Sequence, residues 1–148
     1  MTPKVVVVTP VLNQLFYTKM FLKSLERQTF KDFAVIVVDN ASTDETRDWL
    51  CHNWLVSYQP SDYTGSVPFK PLHYRTNDGK FVVRNSENRG YAGGCNDGIA
   101  LARACYPDAD VLITNNDMEL FPDCIEKLWT DAYKSRLLNA VFSDEQVK

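Results

Sequence analysis

The chain has 148 residues, with 16 Lys and Arg against 19 Asp and Glu, for a formal net charge of -3. Its 45% hydrophobic and 24% charged residues are typical of a globular domain, and its length suits a single one. The composition excludes collagen, coiled coil and overall disorder. Because an acidic balance supplies no positive field for a phosphate backbone, we expect no nucleic-acid partner.

The apolar runs are all much shorter than the roughly 20 residues that span a bilayer. The run Val5 to Val8 is also too short for a signal peptide, and Thr9-Pro10 follows it instead of a cleavage site of small residues. We therefore predict a cytoplasmic protein without a transmembrane segment. Wide spacing, without a CxxC pair or histidines at metal-ligand spacing, favours reduced thiols for the cysteines. These are Cys51, Cys95, Cys105 and Cys124.

The N-terminal third alternates short apolar runs with an amphipathic segment. Val5 to Val8 and Phe33 to Val38 are rich in β-branched residues and predict strands buried on both faces. Between them, Gln14 to Arg27 has apolar residues at helical spacing, with Asn13 as a candidate N-cap. The predicted core-facing residues of this helix are Leu15, Met20, Phe21, Leu22 and Leu25.

The second strand is followed by Ser42-Thr43-Asp44-Glu45, the pattern of a capping box. It predicts a helix that carries tryptophans at core spacing. Residues 59–80 are rich in proline and glycine and predict a long loop with room for a hairpin.

The remaining segments continue the alternation. Phe81 to Arg84 and Val111 to Thr114 predict strands, and Tyr91 to Cys105 and Pro122 to Tyr133 predict helices. The predicted core-facing residues of these two helices are Ile99, Leu101, Ala102, Ile125, Leu128 and Trp129. Buried strands interleaved with helices predict an α/β fold with a mostly parallel sheet and helices on both faces. Ligands of such sheets bind beyond the carboxyl ends of the strands.

Polar segments lie at the four predicted carboxyl ends. They are VVVVTPVLN, VIVVDNASTDET, RNSENRGYAGGCNDGI and VLITNNDMELFPD. In this order, from Val5 to about Leu128, they resemble the nucleotide-sugar-binding half of family 2 glycosyltransferases. The resemblance implies a GT-A fold, incomplete at the C-terminus. Residues 1–148 would be one nucleotide-sugar-binding domain with 59–80 as a loop insertion and without the acceptor half. The run ENRGYAGGCN and the Asn-Asn-Asp triplet are similar to the rhamnosyl and galactofuranosyl transferase branch.

Asp39 ends the second predicted strand. A carboxylate there can accept the imide N-H of uracil or thymine, whereas cytosine presents an acceptor at the same position. The resemblance implies this role and therefore a UDP- or dTDP-sugar. The alternative is that Asp39 only organises the turn that follows it.

Further donor contacts are implied by the resemblance. The glycine-rich run opens a helix whose N-terminus favours an anion, and Arg89 would contact a phosphate. Some of these contacts have a structural alternative. Asn13 would be an N-cap, Ser42 would belong to a capping box, and the glycines would serve a turn and tight helix packing. The predicted donor-nucleotide-binding residues are Thr9, Pro10, Asn13, Asp39, Ser42, Asn88, Arg89, Gly90, Gly94, Asn96, Asn115 and Asn116.

The triplet Asn115-Asn116-Asp117 occupies the place of the family's Asp-x-Asp motif. The resemblance implies that Asp117 binds a divalent cation, manganese or magnesium, that bridges the diphosphate. Such cations often take only one or two protein oxygens when phosphates supply the others. Because Asn115 replaces the first Asp, we expect weak metal affinity without the nucleotide.

The implied activity is inverting transfer of a sugar to the hydroxyl of an acceptor glycan or other compound. None of the 148 residues can be assigned as the catalytic base, so we expect little transfer from this chain alone. The alternative is a non-catalytic nucleotide-binding or interaction module that lacks the acceptor half. A dinucleotide-dependent oxidoreductase is disfavoured because the glycine fingerprint is missing after the first strand. A sheet edge left open by the absent half predicts self-association.

Overall fold

The computed structural model describes residues 2–55 and 78–134, and the backbone of two short strands between them. Its strands are β1 (Val5–Val11), β2 (Phe33–Asp39), β3 (Gln59–Pro60), β4 (Leu72–Arg75), β5 (Lys80–Arg84) and β6 (Asp110–Ile113). Its helices are α1 (Leu15–Glu26), α2 (Thr46–Trp49) with a π-helical continuation (Leu50–Trp54), α3 (Gly90–Cys105) and α4 (residues 124–134).

The strands form one sheet in the order β3-β4-β5-β2-β1-β6. β5, β2, β1 and β6 are parallel, whereas β3 and β4 are antiparallel to their neighbours. The predicted mostly parallel sheet is therefore confirmed. Pairing of β3 with β4 shows that the predicted loop 59–80 contains an antiparallel strand pair. The rest of that predicted loop lies outside the described residues.

Both faces of the sheet are covered, as predicted. Val5, Val7 and Val11 of β1 pack with α1, the π-helical turn and α4, while Val6 and Val8 pack with α3. Successive strand residues point to opposite faces, so an uninterrupted apolar run serves two cores. α3 lies opposite α1 because its crossover runs back along the sheet, and a right-handed crossover in that direction uses the other face.

The strand order defines where a ligand can enter. The chain steps from β1 through β2 to β5 and then returns past β1 to β6. At such a switch point the neighbouring connections leave in opposite directions, which opens a crevice at the carboxyl ends of the two strands. The exits of β1 and β6 line this crevice.

The predicted helix faces are mostly confirmed. Trp49 and Trp129 pack against the core. The buried residues of the predicted faces are Leu15, Phe21, Leu22, Leu25, Trp54, Leu101, Ala102 and Ile125. Ile99 is only partly buried. Met20 and Leu128 are 40% and 50% exposed, so their prediction as core residues is wrong. Met20 lies on the outward side of α1, and Leu128 lines a cavity of about 210 Å³ beside β6.

Two predicted helix starts are wrong. α2 begins at Thr46, and its N-cap is Glu45, without a side-chain capping bond, so the capping box does not form. α4 begins at residue 124, two residues after Pro122. Within the described part of the chain, no helix is long and apolar enough to cross a bilayer.

All four cysteines belong to described segments and are free thiols, as predicted. Cys51 and Cys95 are buried. Burial raises the pKa of the Cys51 thiol; the Arg47 guanidinium opposes that rise, and the Asp39 carboxylate adds to it. Cys51 is therefore a protonated core residue.

We expect Gly98→Ala to lower the free energy of unfolding by about 1 to 2 kcal/mol. A Cβ at this position would overlap with Val8 Cγ1 and lie 3.1 Å from Val38 Cγ2, and overpacking of this kind outweighs the helix propensity gained by alanine. Urea denaturation would measure the change. In a Val8→Ala background, Gly98→Ala should lower the free energy of unfolding by less. An equal loss in both backgrounds would contradict the packing explanation.

Candidate functional site

Asn13 links the exits of β1 and β2. Its backbone N-H donates to Ser42 Oγ at 2.8 Å, and its Oδ1 accepts from the backbone N-H groups of Thr43 (2.7 Å) and Asp44 (3.1 Å). The N-cap of α1 is instead Gln14, without a side-chain capping bond. The candidate roles of Asn13 as an N-cap and of Ser42 in a capping box are therefore wrong. Both side chains join two loops that are 29 residues apart.

The same two loops hold residues with left-handed backbone conformations. Asn13, Gln14 and Ala41 have φ values of 55°, 58° and 67°. For a residue with a Cβ this conformation costs about 1 to 2 kcal/mol and persists only where the surroundings enforce it. The hydrogen bonds of Asn13 and Ser42 provide that restraint. The exits of β1 and β2 are consequently fixed in one arrangement.

Asp39 is 1% exposed and lies between these loops. Its Oδ1 accepts the backbone N-H of Ser42 at 3.0 Å, so it does organise the turn. Its Oδ2 is buried and has no hydrogen-bond partner among the described residues. A buried carboxylate oxygen without a partner is costly in free energy. Asp39 thus retains one acceptor that a ligand N-H can satisfy.

Thr9 and Thr114 place two further unsatisfied oxygens near the crevice. Both side chains are buried, and neither Oγ1 has a partner in the described part of the chain. The β1–β6 register pairs Val8 with Ile113, so the two threonines follow at adjacent positions. Buried polar atoms are normally satisfied, and a cluster of exceptions calls for a water or a ligand. On the α1 side of this edge, buried oxygen atoms are therefore available to hydrogen-bond a ligand or water.

The α3 side of the edge contains a polar network that sequence reasoning missed, in which Asp97 Oδ1 has no hydrogen-bond partner among the described residues. The buried Asp97 Oδ2 lies 2.8 Å from Arg89 Nε and accepts from Asn85 Nδ2 at 2.7 Å. Asn85 Nδ2 also donates to Asn40 Oδ1 at 3.1 Å. One signal was available: Asp97 lies on the same helix face as Gly94, Gly98 and Leu101, where a carboxylate requires a partner.

This network fixes the start of α3. Asn40 Oδ1 accepts from the Arg89 backbone N-H at 3.0 Å, and Asn40 Nδ2 donates to the Gly90 carbonyl at 2.9 Å. The Gly90 N-H donates to Asn88 Oδ1 at 2.9 Å. Gly90 needs its φ of 72°, and a Cβ on Gly94 would lie 3.1 Å from Pro10 Cβ. The structural alternatives for these glycines are therefore supported, and the phosphate contact of Arg89 stays a prediction.

The side chain of the middle residue anchors the triplet after β6. Asn116 Nδ2 donates to Thr18 Oγ1 of α1 at 3.0 Å, while Asn115 and Asp117 are exposed. The described residues include no group of three His, Cys, Asp or Glu side chains able to hold a metal. One exposed carboxylate beside one amide fits a cation that takes most of its ligands from a diphosphate. It does not fit a cation held by protein ligands alone.

The structure brings the predicted site residues to one edge of the sheet. Thr9, Pro10 and Asn13 lie at the exit of β1, and Asp39 and Ser42 at the exit of β2. Asn88, Arg89, Gly90 and Gly94 surround the start of α3, and the triplet follows β6. Asn96 is exposed in the second turn of α3.

A comparison with protein families matches residues 6–52 to the family described as Glycosyl transferase family 2. This span includes α1, β2 and all of β1 except Val5. It also includes the hydrogen-bonded loops that follow the two strands. It supports a glycosyltransferase, as the sequence motifs predict. No curated protein sequence gives a significant match.

Three solved structures are similar to the chain. TarS 1-349 of S. aureus in complex with UDP is 24% identical, with a TM-score of 0.57 over 84% of this chain and 30% of that chain. A longer S. aureus TarS structure is 22% identical, with a TM-score of 0.54 over 84% of this chain and 18% of that chain. The mannosyltransferase PcManGT from Pyrobaculum calidifontis, in complex with GDP-Man and Mn2+, is 25% identical, with a TM-score of 0.49 over 79% and 28%.

The two TarS likenesses establish the GT-A fold of the chain, which was predicted. The chain spans 30% or less of the length of each TarS structure. These comparisons do not bear on the rhamnosyl and galactofuranosyl branch, which stays a prediction.

We expect Asp97→Asn to lower the free energy of unfolding by about 1.5 to 3 kcal/mol, since it replaces charge-assisted hydrogen bonds in a buried site. The same loss should not appear with Asp108→Asn, which removes an exposed carboxylate beyond the other end of α3. A double-mutant cycle with Arg89→Met, followed by chemical denaturation, measures the coupling. Coupling below about 0.5 kcal/mol would show that the Arg89–Asp97 pair contributes little.

Proposed function

We propose that the chain is the nucleotide-sugar-binding part of a family 2 glycosyltransferase. It binds a UDP- or dTDP-sugar with a divalent cation, for transfer with inversion to the hydroxyl of an acceptor glycan or other compound. The observation that carries the proposal is the unsatisfied Oδ2 of Asp39, at the β2 exit inside the segment that matches the family. A rhamnosyl or galactofuranosyl donor is the finer proposal, from the sequence resemblance alone.

The proposed base selectivity follows from the acceptor atom of Asp39 that has no partner among the described residues, Oδ2. Its Oδ1 is used by the Ser42 N-H, so the carboxylate cannot rotate freely to other partners. Its Oδ2 can accept the imide N-H of uracil or thymine, which satisfies a buried charge. Cytosine would bring a second acceptor against this oxygen and leave both unsatisfied. The proposed site therefore prefers uridine and thymidine nucleotides.

The diphosphate would lie between the start of α3 and the triplet. α3 has 16 residues, and its free N-H groups and dipole favour an anion at its N-terminus. Asp117 would hold the cation, with Asn115 beside it as a neutral oxygen donor. When bound, the cation stabilises negative charge on the departing diphosphate.

A non-catalytic nucleotide-binding module remains the second candidate, because no catalytic base is assignable among the described residues. Both candidates share the binding step, and a donor-consumption assay with acceptor separates them. The cytoplasmic location and self-association through an open sheet edge also stay predictions.

We expect Asp39→Asn to weaken UDP binding by about 10- to 100-fold, because a charge-assisted hydrogen bond contributes about 1.5 to 3 kcal/mol. The new amide can donate to cytosine N3, so the preference for UDP over CDP should also narrow. Calorimetric titration of both nucleotides measures the two effects. Asp108→Asn is the matched control for the lost charge, and an unchanged UDP-to-CDP ratio would remove Asp39 from base recognition.

We expect Asp117→Asn to abolish most of the gain in UDP affinity that manganese provides and to leave metal-free binding nearly unchanged. The reason is that Asp117 supplies the carboxylate ligand while the diphosphate supplies the rest. Titrations with manganese and with a chelator measure the gain. If UDP binds the unmodified protein equally well in both conditions, the metal assignment is wrong.

A further inference from the structure

α1 buries three polar side chains in its core-facing surface or directly after it. Thr18, Ser24 and Gln28 are each 0% exposed, among apolar neighbours such as Phe21 and Leu25. Buried hydroxyl and amide groups are destabilising unless hydrogen-bonded. In this helix each has a partner in the segment that follows β6. We call Thr18, Ser24 and Gln28 the polar seam.

The polar seam sets the path of that segment along α1. Ser24 Oγ accepts from the Leu120 N-H at 3.1 Å. Gln28 donates to the Phe121 carbonyl at 2.7 Å and accepts from the Ile125 N-H at 3.0 Å. Sequence positions rise together on both sides, so the segment and α1 run alongside each other in a fixed register.

Thr18 is the member of the polar seam that reaches the triplet. Its Oγ1 accepts from Asn116 Nδ2 at 3.0 Å. On the other side, the Thr114 N-H donates to the Val8 carbonyl at 2.9 Å. Asn115 is thus held between two anchored residues. Asp117 is one peptide unit, about 3.8 Å between Cα atoms, from the anchored Asn116.

We propose that Thr18 is a positioning residue that holds Asn116, and through it Asp117, at the mouth of the crevice. This inference rests on the proposed function for the identity of the ligand, but the anchoring itself does not. Thr18 need not touch the nucleotide or the cation. A residue that only fills the core could equally be valine, which has the same shape and lacks the acceptor that Asn116 uses.

Thr18→Val and Thr18→Ser form a matched pair for the test. Valine keeps the shape and removes the acceptor, whereas serine keeps the acceptor and loses one methyl group. We expect Thr18→Val to reduce the manganese-dependent gain in UDP affinity about fivefold, the effect of one neutral hydrogen bond, with metal-free binding unchanged. Thr18→Ser should retain the gain within about twofold. Calorimetry on the unmodified protein and both variants, with manganese and with chelator, provides the six affinities.

A second measurement tests the anchoring without any ligand. Backbone NMR relaxation should show greater picosecond to nanosecond motion at residues 115–118 in Thr18→Val, and wild-type motion in Thr18→Ser. If Thr18→Val does not fold, Asn116→Ala removes the same bond from the partly exposed side, and increased motion at Asp117 is the expected result. Unchanged motion at residues 115–118 in the folded variants would overturn the proposal.

The two measurements separate this inference from the proposed function. Unmodified protein that shows no manganese-dependent gain would refute the cation role of Asp117, while the relaxation data would still decide the anchoring. A gain that falls equally in Thr18→Val and Thr18→Ser would indicate a general packing defect and would also overturn the role of the Thr18 acceptor.

Discussion

The position of β1 constrains the rest of the molecule. This strand is hydrogen-bonded to β2 on one side and to β6 on the other, and helices cover both of its faces. All seven of its residues, Val5–Val11, are buried. Everything that can bind a ligand at this strand is therefore concentrated at its exit. Because Gly98 has no Cβ, α3 packs closely against Val8 and covers that face of β1.

The exits at this edge divide into two chemical environments. On the α1 side, Thr9, Asp39 and Thr114 retain buried oxygens without partners among the described residues. On the α3 side, Asn40, Asn85 and Arg89 are bonded to one another or to Asp97, and Asp97 Oδ1 is the atom of this network that lacks a partner among the described residues. Selectivity for a base would come from the first environment. The second provides a rigid wall, and its contribution to an anion would come from backbone N-H groups.

The sequence was sufficient for the architecture. β-branched runs separated by helical periodicity predict the parallel sheet because they are local patterns, whereas the ligand site at its carboxyl edge stays a prediction. It was insufficient for the loops. Ser42 and Asn13 fit local capping rules, yet their hydrogen bonds join residues 29 or more positions apart. Local rules carry no information about such pairs. Asp97 was overlooked for a similar reason, since its partners Asn85 and Arg89 lie outside α3.

Two hydrogen bonds near the start of α1 hold two separate loops of the candidate site. At its start, Asn13 holds the loop after β2, and five residues later Thr18 holds the triplet after β6. Asn13 lies two residues before α1 and Thr18 lies in its first turn, so both anchors are at the same end of one helix. A change in the tilt of α1 would displace both loops together. A variant that tilts the whole of α1 would therefore change the proposed base preference and the proposed cation dependence together, whereas removal of a single anchor would change only one of them.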